Sequence, residues 1–156
     1  AHARGTVTER ASQLAPQALI PLPTSFTTLH KAVVARLRAS PGSSNLGDPC
    51  ICLLCGYVTR ERRRSPTNPL RQHAMVCGRG VGVFFMVNQC HVLLVRDGLT
   101  VRGNSLYVDA FGEEDINLRR GRPLHLSQER YAKLNEACLS HSLAKETVKF
   151  ALNSRR

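Results

Sequence analysis

The chain has 156 residues, with 22 Lys and Arg against 11 Asp and Glu, a formal net charge of +11 and an apolar share of 42%. That length supports one compact core, and with no Trp, three Tyr and five Phe the core is a modest one for which a metal staple is physically useful. No apolar run approaches the roughly 20 residues that cross a bilayer, and no continuous apolar segment of the signal-peptide kind opens the chain, so no membrane partner and a cytosolic or nuclear location are expected.

Residues 1–19 read as a linker or an upstream helix, residues 20–142 as the domain, and residues 143–156 as a C-terminal tail. Pro21 and Pro23 hold an extended entry, because each restricts the residue before it. Thr24 or Ser25 then caps a helix to about Leu37, with Phe26, Leu29, Val33 and Leu37 on one face. Ser40, Pro41 and Gly42 end it.

The organising motif follows. Cys52, Cys55, His73 and Cys77 have the spacing C-x2-C-x17-H-x3-C. Three thiolates and one imidazole can close a tetrahedron around a single structural Zn2+, and the x2 spacing lets one tight turn present two sulfurs to it. Residues 60–69 between the half-sites offer almost nothing apolar, so something other than packing must close that loop. The clasp is expected to staple the first helix to the sheet. Cys50 is the one substitute ligand, because in an extended segment its side chain points with that of Cys52. The pairing of C-x2-C with a histidine argues for a reducing compartment, since an oxidised pair does not bind zinc.

Residues 78–82, Gly-Arg-Gly-Val-Gly, lack the preceding strand and following Lys of a phosphate loop, so they read as a close backbone approach at the entry to a sheet. Runs over 81–87 and 90–96, separated by Asn88 and Gln89, read as strands, and Asp97-Gly98 turns into a third over 99–102. Residues 106–109 and 124–126 are further short strands. The expected fold is α+β: a small zinc-stapled domain with a three- to four-stranded antiparallel sheet packed by helices. Between the short strands, Glu113, Glu114 and Asp115 face Arg119, Arg120 and Arg122 in one loop, and are expected to form exposed pairs contributing about 0 to 1 kcal/mol each. Ser127 caps a last helix whose buried stripe is Tyr131, Leu134 and Cys138.

No Ser-His-acid or Cys-His pair forms a catalytic constellation, so no catalytic residue is assigned. A four-ligand site leaves no open position for water. The excess of Arg is scattered over a loop and the termini, without an aromatic-laced basic strand, so no specific nucleic acid is expected as a partner.

Residues 51–56 (Ile-Cys-Leu-Leu-Cys-Gly), 73–84, 107–115 (Tyr-Val-Asp-Ala-Phe-Gly-Glu-Glu-Asp) and 118–131 together resemble the extreme C-terminal region of the UBR family of N-degron-recognising E3 ubiquitin ligases. The resemblance covers about residues 20–142, four blocks in the same order. It implies a zinc-containing cap packed on the upstream domains of a RING-type ligase, with Cys52, Cys55, His73 and Cys77 as ligands and the other blocks as framework. Many relatives carry extra cysteines between the half-sites, where this chain has Arg60, Arg62, Arg63 and Arg64. The degron pocket, UBR box and RING are not within these residues, so the chain alone is expected to be noncatalytic, scaffolding or regulating a parent transferase in ubiquitin-dependent degradation. The alternative is a recognition module for a peptide or adaptor protein, and behind it a nucleic-acid-binding zinc module.

Overall fold

The computed structural model describes residues 18–40, 46–62, 67–96 and 98–140. Most of the expected linker and the whole of the expected tail lie outside these residues. The first helix, α1 (Phe26–Ala39), buries Phe26, Leu29, Val33 and Leu37 as the spacing requires. Ser25 stands at its N-cap in an extended conformation, but its side chain makes no capping bond.

Five strands follow: β1 (Asp48–Cys52), β2 (Val58–Glu61), β3 (Val81–Met86), β4 (His91–Arg96) and β5 (Leu99–Arg102). They form one sheet in the order β2-β1-β3-β4-β5, each pair antiparallel. The expectation of a three- to four-stranded sheet is therefore corrected to five. The two additional strands flank the Cys-x2-Cys turn. β1 is broken in pattern by Pro49 and two cysteines, and β2 reads Val-Thr-Arg-Glu, so neither shows an apolar period of its own. They become strands through pairing: β1 sets Ile51 opposite Phe85 and Cys52 opposite Phe84 on β3, and β2 completes the hairpin. The short strands β6 (Tyr107–Val108) and β7 (His125–Leu126) pair with each other in a separate two-stranded sheet.

Period-2 alternation along β3 gives the main sheet two apolar faces. Val83 and Phe85 join Ile51, Val92 and Leu94 beneath α1. On the opposite face, Phe84 and Met86 join Cys50, Cys52, Leu93 and Val95 beneath Leu70 and Ala74 of a second helix, α2 (Pro69–Cys77). Asn68 caps α2 by accepting from the Leu70 amide at 3.2 Å, with Pro69 at the first helical position. Gly82 is what lets α2 sit this close: a Cβ there would stand 3.0 Å from the Ala74 Cβ and 2.5 Å from the Phe84 ring.

The last helix, α3 (Gln128–Leu139), is capped by Ser127, whose Oγ accepts from the Arg130 amide at 3.3 Å. It buries Leu134 and Ala137, with Tyr131 and Cys138 half-buried. α3 holds the entry of the domain. Asn135 Oδ1 accepts from the amides of Ala18 and Leu19, and the Tyr131 hydroxyl donates to the Ile20 carbonyl at 2.7 Å. The Ile20 amide in turn donates to the Leu53 carbonyl at 2.8 Å, which connects α3 to the turn after β1. The Tyr107 hydroxyl donates to the Pro23 carbonyl at 2.6 Å and so fixes the extended Pro segment.

Phe85 is fully buried at the contact between β3, α1 and Tyr107. Phe85→Ala should destabilise the domain by about 3 to 5 kcal/mol in urea unfolding, whereas Leu99→Ala, on an exposed edge position, should stay within about 0.5 kcal/mol.

Candidate metal centre

Cys52 ends β1, and the next three residues turn the chain back toward β2. The Gly56 amide donates to the Cys52 carbonyl at 2.8 Å and the Cys52 amide to the Tyr57 carbonyl at 2.8 Å. Gly56 sits at φ +84°, in the left-handed region, which closes the turn without a Cβ penalty. That loop holds the first two sulfurs. His73 and Cys77, four residues apart, lie on one side of α2. The four donor atoms of Cys52, Cys55, His73 and Cys77 all lie within 4.8 Å of one another, with Cys55 Sγ 3.2 Å from His73 Nε2. Tetrahedral zinc bonds put ligand atoms about 3.8 Å apart, so this spread needs only small side-chain adjustments to close on an ion. The cluster therefore clamps the β1–β2 hairpin to α2, and not the first helix to the sheet.

The imidazole is oriented by its neighbours. Tyr57 stacks on it with ring centroids 4.6 Å apart and planes at 14°, and Phe84 meets it edge-on at 6.0 Å. Tyr57 was not visible as part of the site in the spacing pattern, since its contact is made across the hairpin to a residue on a different element. Cys50 lies on the same side of the sheet as Cys52, but it is fully buried with Sγ 3.5 Å from the Thr59 carbonyl and is not one of the convergent four.

The electrostatics of the site suit a cation. Burial pushes the Cys52 thiol up to about 12, and burial together with the neighbouring Cys55 raises Cys77. Burial also lowers His73, which favours the neutral imidazole a metal requires. Cys52 and Cys77 thus favour the thiol on their own, and a divalent ion would supply the charge that compensates their ionisation. The residues present thus fit a closed, structural Cys3His metal site.

A second polar system went unread as such. Asp109 and Asp115 are buried rather than exposed. Asp109 Oδ1 accepts from the amides of Phe111 and Glu113, each at 2.9 Å, and its Oδ2 from Arg122 at 3.2 Å. Asp115 accepts from the amides of Arg120 and Gly121 at 2.9 and 3.0 Å. Glu114 accepts from Arg130 at 2.8 Å and from the Ser105 amide. Among the described residues of this loop, the Arg120–Glu113 pair at 2.8 Å has the expected exposed character. The available signal was the Asp109-x-x-Gly112 pattern of a turn closed by its own carboxylate.

A two-faced antiparallel sheet clamped to a helix by a closed donor set defines a small structural metal-binding module. The family model described as Proteolysis_6 C-terminal matches residues 5–140, and the chain belongs to this family of UBR-type C-terminal domains. E3 ubiquitin-protein ligase ubr3 of Danio rerio is 31% identical over 134 residues, covering 83% of this chain and 7% of that protein. E3 ubiquitin-protein ligase Ubr3 of Drosophila melanogaster is 36% identical over 123 residues, or 76% of this chain and 5% of the relative. E3 ubiquitin-protein ligase PRT6 of Arabidopsis thaliana is 34% identical over 134 residues, or 82% and 6%. The chain thus spans less than a tenth of the length of these relatives.

Two outcomes are expected. Tyr57→Ala should weaken cobalt or zinc binding about tenfold in a competition titration, while Tyr57→Phe, which keeps the stack, retains it. Hydrogen bonds from the Glu113 and Phe111 amides and the Arg122 guanidinium hold Asp109 below its ordinary value of 3.8. Its contribution is therefore complete above about pH 4 and lost as pH falls through the depressed folded value. Asp109→Asn should be less stable than the native chain at pH 7, with the gap in urea midpoint closing as pH drops below 4.

Proposed function

We propose that this chain is the noncatalytic C-terminal cap of an N-degron pathway RING-type ubiquitin ligase, held in shape by one zinc ion on Cys52, Cys55, His73 and Cys77. One observation carries the reading: a closed set of four convergent donors lies inside a chain whose similar proteins bear the name E3 ubiquitin-protein ligase. A filled four-ligand shell leaves no position for water or substrate, so the ion acts on shape and not on chemistry. Ubiquitin transfer then belongs to the upstream domains of the parent, which are the natural partners of the cap. Residues 20–142 form the functional unit, with residues 1–19 and 143–156 as its connections, working in the cytoplasm or the nucleus.

Metal analysis of the purified chain should return one zinc per chain. Cys52→Ser should lose it, Cys50→Ser should keep it, and chelation should unfold the domain cooperatively. Supplied with E1, E2, ubiquitin and ATP, the chain should form no ubiquitin conjugates. Loss of zinc in Cys50→Ser alone would overturn the ligand assignment, and conjugate formation would overturn the noncatalytic reading.

A further inference from the structure

Each side of α2 has a distinct task. Leu70 and Ala74 are buried against the sheet, and His73 and Cys77 belong to the metal cluster. The outward arc carries Arg71, Met75 and Val76, and Arg79 stands just beyond the helix end. Met75 is 68% and Val76 is 87% exposed. Single exposed apolar residues need no explanation, but two adjacent ones bracketed by arginines four positions to either side of Met75 form a patch. Met and Arg are also the residues that interface cores favour, and Met adapts its shape to what it meets.

The charge around this patch is unbalanced. α2 contains no acidic residue, and neither Arg71 nor Arg79 has an ion-pair partner among the described residues. Among the described acidic groups, Asp109 and Asp115 are buried, and Glu113, Glu114 and Glu129 pair with Arg120, Arg130 and Lys133. A cationic rim around an apolar centre selects an acidic segment with apolar anchors. Two side chains and two arginines cover far less than the roughly 1,000 Å² that a stable complex between separate proteins requires. A tethered segment, at an effective concentration on the order of millimolar, has no such need. The relatives supply the tether, since more than nine-tenths of each lies outside the region this chain matches.

We propose that the outer face of α2 docks an acidic segment of the same polypeptide, from outside these 156 residues, with Met75 and Val76 against its apolar anchors and Arg71 and Arg79 against its carboxylates. The proposal rests on the reading of the chain as one domain of a longer ligase.

The test uses the full-length ligase, purified with photoreactive benzoylphenylalanine in place of Val76, and in separate preparations in place of Phe111 or Lys133, both exposed on other surfaces. After irradiation, cross-linked peptides are mapped by mass spectrometry. The expected result is a cross-link from position 76 to a segment of the same chain in which Asp or Glu flank apolar residues. Its yield should fall at least fivefold in Arg71→Glu/Arg79→Glu protein whose zinc content is unchanged. Cross-links from position 111 or 133 but not from 76 would leave the cap reading standing and overturn this docking face. Cross-links from position 76 to a second copy, to a separate protein or to a segment without acidic residues would also overturn it. No intramolecular cross-link from any of the three positions would overturn the docking face and the cap reading together.

Discussion

Convergence of four donor atoms at one point is the constraint on which the rest of this domain depends. Cys52 and Cys55 arrive on a hairpin turn, and His73 and Cys77 on a helix, with a polar, Arg-rich stretch between them that has almost no apolar surface to bury. A metal ion at that point would tie the hairpin turn to α2. The consequence reaches β3, because only four residues separate Cys77 from Gly82, whose missing Cβ lets the helix approach the strand. The metal site and the second apolar core are therefore one construction: Cys52 and Cys77 border Phe84, Leu70 and Ala74 as well as the cluster.

The other half of the domain is held by different physics. Between β6 and β7, residues 109–124 contain no strand, and their backbone amides need partners that no sheet ladder supplies. Asp109 and Asp115 provide them, each accepting two or more backbone N–H bonds inside the fold. The arginines that follow balance this buried negative charge. Tyr107 then connects the segment to the α1 face through its contacts with Phe26 and Phe85. Carboxylates here replace hydrogen-bonded strands, whereas the other half converges on a set of four metal-type donors.

Both devices produce rigidity and neither produces an open reactive position. A closed Cys3His shell, satisfied carboxylates and a family of C-terminal domains from large ligases fit a part that shapes its surroundings. The surface of α2 stands apart from this economy. Met75 and Val76 on its outward side stay exposed, outside both apolar cores.

Much was decided by local sequence. The donor residues stand out by their spacing, α1 by its apolar period, β3 and β4 by their largely apolar runs of β-branched, aromatic and aliphatic residues, the β4–β5 hairpin by Asp97-Gly98, and α3 by its Ser127 cap. Each depends on physics that acts within a few residues of the chain. Tertiary structure alone decided the remainder. β1 and β2 carry no period of their own and are strands because β3 offers a ladder, which raises the main sheet to five. Tyr57 reaches His73 only once the hairpin and α2 are brought together. Asp109 and Asp115 could not be told from surface acids, since burial is a property of the packed chain and not of the residue. The clamp was legible as a set of ligands, but what it clamps was not, because a spacing names the atoms that can meet and only the fold determines which elements they bring with them.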